Sequence, residues 1–380
     1  MLPRTMDRLE AQLVAALGGV TLRASGIYGR LAASRLLRDA ASIASSSLLA
    51  LTRNSRLPDP PHFHHGLLDR YRDLVEDWTG LLEACRRPLP LVVWANPLRA
   101  DLTHRLARAA GLGGELDECL PALLRARGYV VEQVAWYPSA YRVWGLEKPG
   151  HTLEHYLGLM HVQEEISLLP ALLLGALPGE RVLDLCAAPG GKSACIAVGM
   201  NDAGTLVAND VRPTRLRALR SNCERLGVTS VVITSIDGTR YPLRAGPFDR
   251  ILLDVPCSCE GNLRVTPGAG GGRMGAAVVS GRSGLQATLL GRAWKLLAPG
   301  GTLVYATCTF APEENEVVLD YTLGEDASIL PFSVPGLRHD AGVTEWEGKR
   351  LRHDCRNLAR YWPHLNDTGG FTVALIRKRS

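Results

Sequence analysis

The chain has 380 residues, of which 46% are apolar and 21% are charged, and this composition excludes a wholly disordered or fibrous protein. Its 43 basic and 38 acidic side chains leave a formal charge of +5, which permits a nucleic-acid partner without requiring one. The nine cysteines include no C-x-x-C pair, so we expect reduced thiols rather than a disulfide scaffold or a structural zinc site. The longest apolar run, 168–177, is half the ~20 residues that a bilayer-spanning helix needs, and no membrane partner is predicted.

Residues 1–56 are predicted to form an N-terminal extension. The first fifty are rich in Arg, Ala, Leu and Ser, and they contain three acidic residues and no lysine. This composition is typical of an organellar transit segment. An ordinary helical extension is the alternative interpretation.

Residues 57–150 are predicted to form a small α+β domain that begins in a proline-rich linker. Its predicted elements are, in chain order, a helical run at 67–78, a strand at 91–95, a helix at 98–110 and a strand at 129–136. The His62, His64 and His65 cluster has no acidic or cysteine partner at ligand spacing. A loop is therefore favoured there, and no metal site is predicted.

Residues 151–380 alternate between strands and helices. The predicted strands are 182–185, 206–209, 231–234, 251–254 and 302–306, with a last strand at 371–377, and the predicted helices are 191–200, 213–226 and 285–297. This alternation predicts a Rossmann-like α/β domain with a doubly wound, mostly parallel sheet. Ligands of such sheets bind at the carboxyl ends of the strands.

A glycine turn follows the first of these strands, in the segment 182–193 (VLDLCAAPGGKS). Small residues there let a ligand approach the backbone, and the next helix offers its N-terminal amides. The spacing matches neither a Walker A loop nor the dinucleotide motif, and a plain tight turn is the alternative. The residues predicted to contact a ligand are Cys186, Ala187, Ala188, Pro189, Gly190, Gly191 and Lys192.

Two acidic residues follow the next two strands. Asp210 ends the second strand, where a carboxylate reaches ribose hydroxyls, and Asp237 follows the third, where it can meet an adenine edge. Each alone is more often a solvated residue at a strand end. Together with the glycine turn they predict an adenosyl ligand without a pyrophosphate, which is S-adenosylmethionine.

Two cysteines lie at the ends of the fourth and fifth strands. Cys257 follows Asp254 in the sequence DVPCS, and Cys308 lies in YATCT. Neighbouring strand ends share one crevice, so we expect both thiols to face the cofactor pocket, although a single free cysteine is usually an inert core residue. Carbon 5 of a pyrimidine needs such a thiolate, because addition at carbon 6 makes carbon 5 nucleophilic. Asp254 can hydrogen-bond the ring near position 3 and stabilise the resulting anion.

These segments resemble the Nop/Sun family of RNA cytosine-5 methyltransferases. The resemblance rests on 183–192, on 254–258, and on TCT at 307–309 with PEEN at 312–315, and it extends over most of the chain. It implies that the chain is an S-adenosylmethionine-dependent RNA methyltransferase acting on an unstacked cytosine.

The resemblance also implies roles for individual residues. Cys308 would add to carbon 6, and Cys257 would assist release of the methylated base. Lys192 would shape the pocket with Asp254, and Arg215 would lie beside the cofactor on the helix after the ribose acid.

The chain departs from the family pattern in a glycine-rich insertion, 265–284, which replaces a basic, tryptophan-containing loop, and in Thr372, where the family commonly has Phe. We expect the insertion to be flexible without a partner. The lack of a recognisable extra RNA-binding domain resembles the mitochondrial ribosomal branch.

This likeness predicts a mitochondrial enzyme acting on rRNA rather than tRNA. The small domain at 57–150 would be of an RNA-binding type and hold the phosphate backbone, and a protein partner or ribosomal subunit would supply further RNA contacts. Cytoplasmic or nucleolar location is the alternative. Two other functions stay open: an RNA-binding ribosome-assembly factor whose catalysis is dispensable or lost, and methylation of a small molecule.

Overall fold

A computed structural model describes residues 68–264 and 276–380. The predicted N-terminal extension at 1–56, the histidine cluster at 62–65 and the first part of the glycine-rich insertion lie outside the described residues. Contacts between Cα atoms divide the chain into two compact units, which we describe separately. Within the described ranges, the helices are too short or too polar to cross a bilayer.

The elements are numbered in chain order. The α-helices are α1 (Trp78–Arg86), α2 (Ala100–Ala109), α3 (Cys119–Ala126), α4 (Leu153–Tyr156), α5 (Leu169–Leu174), α6 (Gly191–Gly199), α7 (Pro213–Leu226), α8 (Ala276–Leu296), α9 (Glu316–Thr322) and α10 (Pro363–Asn366). The strands are β1 (Leu91–Ala95), β2 (Val130–Gln133), β3 (Ala140–Trp144), β4 (Met160–Val162), β5 (Arg181–Asp184), β6 (Thr205–Asn209), β7 (Val231–Thr234), β8 (Phe248–Asp254), β9 (Leu297–Thr307), β10 (Ala327–Leu330), β11 (Asp340–Ala341), β12 (Glu345–Trp346), β13 (Lys349–Arg350), β14 (Ala359–Tyr361) and β15 (Phe371–Lys378).

The smaller unit contains a four-stranded sheet in the order β2-β3-β1-β4. The amphipathic pattern at 98–110 is confirmed as helix α2, which buries Thr103, Leu106 and Ala107 at helical spacing. The unit extends to residue 162, because β4 pairs with β1 in antiparallel register. The sequence placed the domain boundary at 150, whereas the structure groups 93–134 with 139–162 and assigns 68–92 to the larger unit.

The larger unit is built on a sheet of order β11-β14-β15-β9-β8-β5-β6-β7, with β10 pairing to β15. Strands β5 to β9 pair with one another in parallel, and β15 runs antiparallel to β9. The predicted Rossmann-like α/β sheet is therefore confirmed. The segments 251–253 of β8 and 303–306 of β9 are continuously apolar because both faces of the parallel sheet are covered. The core lies between these strands and α8, where Leu253, Tyr305 and Leu290 are fully buried.

Some element bounds differ from the prediction. Helix α8 begins at Ala276, so the second half of the glycine-rich insertion, 276–284, is helical. Strand β9 begins at Leu297, because Leu297 pairs with Phe248 of β8. Residues 298–301 lie in a register shift, where proline and glycine are tolerated, and regular pairing resumes at Thr302. Helix α7 matches its predicted bounds, since Pro213 begins it and Gly227 ends it in the left-handed conformation.

Candidate active site

The glycine turn connects β5 to α6. Gly190 has a φ of +102°, and a Cβ built on it would lie 3.1 Å from a backbone atom of α7, so only glycine fits. The carbonyl groups of the turn are held by side chains of α7. Arg215 donates to the carbonyl of Ala188. Asn222 Nδ2 lies 3.0 Å from the carbonyl of Pro189. The turn is thereby fixed with the amides at the start of α6 beside it.

Asp184, the last residue of β5, lies beneath this turn and was not among the predicted site residues. Its Oδ2 accepts a hydrogen bond from Ser193 Oγ at 2.7 Å, while its Oδ1 is buried without a partner. Burial raises the pKa of this carboxyl to about 7. Its place at a strand end was the available sequence signal. An unpartnered buried oxygen here fits a ligand that donates a hydrogen bond.

Asp210 directly follows β6 and is buried. Its Oδ2 lies 2.9 Å from Arg215 Nη1, and its Oδ1 accepts from the amide of Arg212 at 2.9 Å. Each oxygen keeps a second lone pair, which a ribose hydroxyl can use. Arg215 therefore positions both the ribose acid and the glycine turn.

Asp237 lies three residues beyond the end of β7 and is exposed. Its Oδ1 accepts a hydrogen bond from the amide of Thr239 at 3.0 Å. Hydrogen bonds from Thr239 lower the pKa of Asp237, so the carboxylate is ionised at neutral pH. The side chain is free to contact a ligand from solvent.

The two predicted thiols meet. Cys257 Sγ lies 3.3 Å from Cys308 Sγ, with Cys257 buried and Cys308 half-buried. Hydrogen bonds that Cys257 donates to Cys259 and Cys308, together with burial, raise the pKa of Cys257 well above its usual range. The contact with Cys257 lowers the pKa of Cys308, but its hydrogen bond with Cys259 and its burial outweigh this and raise the pKa. Both thiols are therefore protonated at neutral pH.

Lys192 and Asp254 form an ion pair, with 2.8 Å between Nζ and Oδ2. The ammonium group also lies 5.5 Å from the centre of the Phe371 ring. Burial lowers the pKa of Lys192, but the charge of Asp254 outweighs burial and raises it. The pair thus places a fixed positive charge at the end of β8, where Asp254 is the last residue.

A hydrogen-bonded network supports the segment that carries Cys257. The Glu314 carboxylate accepts from the amide of Ser258 at 3.0 Å and from Gln286 Nε2 at 2.7 Å. Gln286 also donates to the carbonyl of Pro256 at 3.0 Å. The Ser258 hydroxyl lies 2.8 Å from that of Thr309, which joins the two cysteine motifs. The network fixes the distance between the thiols.

The sequence reasoning missed two groups next to the thiols. Cys259 Sγ lies 4.0 Å from Cys257 Sγ, and Asn262 Nδ2 lies 3.4 Å from Cys308 Sγ. The spacing of Cys257, Ser258 and Cys259 was the only available signal. This spacing does not show that the chain turns after residue 258 and places the Cys259 thiol close to Cys257.

The hydrogen-bond acceptors around the turn fit S-adenosylmethionine. The Asp184 oxygen can accept from the ammonium of its amino-acid part, Asp210 can accept from the ribose, and Asp237 can accept from the adenine amino group. Strand order, glycine turn and acids together define a Rossmann-like S-adenosylmethionine-dependent methyltransferase.

Comparison with known proteins gives the family. Residues 171–377 match the family described as 16S rRNA methyltransferase RsmB/F, and the chain belongs to this family. The tRNA (cytosine(49)-C(5))-methyltransferase of Pyrococcus abyssi is 36% identical over 296 residues, which are 75% of this chain and 91% of that protein. The 28S rRNA (cytosine-C(5))-methyltransferase of Mus musculus is 34% identical over 323 residues, 83% of this chain but 38% of its own. The chain thus spans well under half of the mouse relative.

Solved structures show the same fold. A methyltransferase homologue from Pyrococcus horikoshii has a TM-score of 0.67 and 30% identity, and the match covers 83% of this chain and all (100%) of that one. NSun6 from Pyrococcus horikoshii, solved with SFG, has a TM-score of 0.69 and 19% identity over 84% of this chain and 99% of its own.

Proposed function

We propose that this enzyme transfers a methyl group to carbon 5 of a cytosine in RNA through a covalent bond between Cys308 and carbon 6. The observation that carries the proposal is the pair of thiols 3.3 Å apart at the ends of adjacent parallel strands. The named relatives that act on RNA cytosine carbon 5 support it.

The chemistry begins with Cys308. Its sulfur forms a bond to carbon 6, its proton leaves to a base, and the electrons of the C5–C6 double bond move to carbon 5. Asp254 hydrogen-bonds the ring near position 3, and the Lys192 ammonium beside it stabilises the negative charge that develops. When bound, S-adenosylmethionine supplies the electrophilic methyl group.

Cys257 acts in the second half of the reaction. The proton on carbon 5 must leave, and its electrons must re-form the double bond while the bond between sulfur and carbon 6 breaks. Cys257 lies beside Cys308 and is the buried member of the pair, so it is placed to assist this elimination. Asn262 contacts the Cys308 sulfur and can orient it for attack.

We further propose rRNA as the RNA substrate, because the matching family is described as a 16S rRNA methyltransferase and the mouse relative is named for 28S rRNA. A ribosomal subunit or protein partner would supply additional RNA contacts. A mitochondrial location is proposed on the composition of the first fifty residues.

Bisulfite sequencing of total RNA tests the function. Cells that lack the endogenous protein are supplied with the wild-type chain, with Cys308→Ala, or with Cys119→Ser. Cys119→Ser is the control, because it replaces a buried thiol of the smaller unit. We expect the wild type and the control to restore the same cytosine marks and Cys308→Ala to restore none. Marks that persist with Cys308→Ala would refute the proposal.

A further inference from the structure

A third thiol lies beside the proposed catalytic pair. The sulfur atoms of Cys257, Cys259 and Cys308, which we call the thiol cluster, all lie within 4.8 Å of one another. The Cys257 sulfur lies 3.3 Å from the Cys308 sulfur and 4.0 Å from the Cys259 sulfur. The proposed methyl transfer uses Cys257 and Cys308 and leaves Cys259 without a task.

The backbone holds Cys259 in an unfavourable conformation to place its thiol there. Its φ is +63°, in the left-handed region that favours glycine. The turn is closed by the amide of Asn262, which donates to the Cys259 carbonyl at 3.0 Å. It is tied to β9 by the amide of Gly261, which donates to the Cys308 carbonyl at 2.9 Å. Non-glycine residues kept in such conformations cluster at functional sites.

The spacing of the sulfurs fits one class of ligand. Zinc bound to thiolates has Zn–S distances of about 2.3 Å, so sulfurs sharing one ion lie about 3.8–4.0 Å apart. The Cys257–Cys259 separation of 4.0 Å matches this value, the Cys257–Cys308 separation of 3.3 Å is shorter, and the third is at most 4.8 Å. Three soft sulfur ligands select a thiophilic cation over magnesium or calcium, which prefer oxygen.

We propose that the thiol cluster binds zinc(II) through all three sulfurs, with the fourth coordination position open to water. The three S–H bonds break, their protons leave to solvent, and three Zn–S bonds form. Cys259 is exposed and Cys308 is half-buried, so the ion has a path from solvent.

Zinc in the cluster has a consequence that rests on the proposed function. The ion would bind the sulfurs of Cys308 and Cys257, so Cys308 could not add to carbon 6 of a pyrimidine. Zinc binding and methyl transfer would then exclude each other, and zinc would be a reversible inhibitor. Metal binding itself is independent of that function.

Titration of the reduced, full-length protein with zinc(II) against a chromophoric chelator tests the proposal without RNA or cofactor. We expect one equivalent to bind to the wild type and to Cys119→Ser, which removes a buried thiol of the smaller unit. Cys259→Ser should weaken binding by about 100-fold or more, because it removes a direct ligand. Magnesium(II) should not compete. Cadmium(II) should give thiolate-to-metal absorption that Cys259→Ser reduces.

A second variant guards against misfolding. Cys259→Gly suits the left-handed backbone and removes the ligand, so it should keep the fold and lose zinc. The proposal is overturned if either folded variant binds zinc as tightly as the wild type, or if the wild type binds none. Since no RNA is present, these outcomes leave the test of cytosine methylation unaffected.

Discussion

Replacing Asp184 with Asn removes a buried carboxyl group that is expensive to ionise. Burial raises its pKa from 3.8 to about 7, so the folded chain holds the proton more tightly than the unfolded chain does. The contribution to stability is therefore full below pH 3.8 and is lost as the pH rises towards 7. The difference of about 3 in pKa corresponds to ~4 kcal/mol, at about 1.36 kcal/mol for each tenfold change in proton affinity.

Urea unfolding without cofactor measures this effect. Between about pH 5 and about pH 8, the free energy of unfolding of the wild type should fall by about 3 kcal/mol relative to Asp184→Asn. Asp202→Asn is the control. Burial raises the pKa of Asp202, but hydrogen bonds from Thr229 and Ser230 outweigh this and lower it. The difference in the free energy of unfolding between Asp202→Asn and the wild type should therefore stay constant over the same pH range. An equally constant difference for Asp184→Asn would refute the reasoning.

Three further substitutions have defined outcomes. Gly190→Ala forces a side chain at φ +102° towards α7, so calorimetry should show weaker S-adenosylmethionine binding and unfolding should show a loss of about 1–3 kcal/mol. Glu314→Ala leaves the amide of Ser258 unpaired and should reduce kcat about tenfold with little change in KM, as single-turnover kinetics would show. Glu316→Ala leaves the buried Arg360 guanidinium without its partner 2.6 Å away and should cost about 3–5 kcal/mol in urea unfolding.

The parallel sheet could be predicted because each of its central strands is a short apolar run followed by a helix. The pattern fails where pairing extends a strand beyond its apolar run. Leu297 pairs with Phe248 of β8, so β9 begins there, although residues 298–301 lie in a register shift before the pairing resumes at Thr302. Strand β4 has three residues, too few for a periodic signal, and exists because β1 lies beside it.

Some residues of the candidate site could likewise be predicted from the sequence, and others could not. Asp254 and Cys308 could be predicted as neighbours because adjacent parallel strands end at one edge of the sheet. Asp184 was missed because its importance lies in a buried oxygen without a partner, which no sequence spacing reveals. Cys259 was missed because its position depends on a turn with positive φ.

Covalent capture of RNA tests the central claim most directly. The wild type, Cys257→Ala, Cys308→Ala and Cys259→Ser are incubated with unmodified rRNA and S-adenosylmethionine and resolved under denaturing conditions. Cys257→Ala should form the Cys308 adduct but fail to release it, so a protein–RNA species should accumulate for this variant alone. Cys308→Ala should retain no RNA. An adduct that accumulates with Cys308→Ala and not with Cys257→Ala would contradict the assigned roles, and its absence from both would contradict the covalent mechanism.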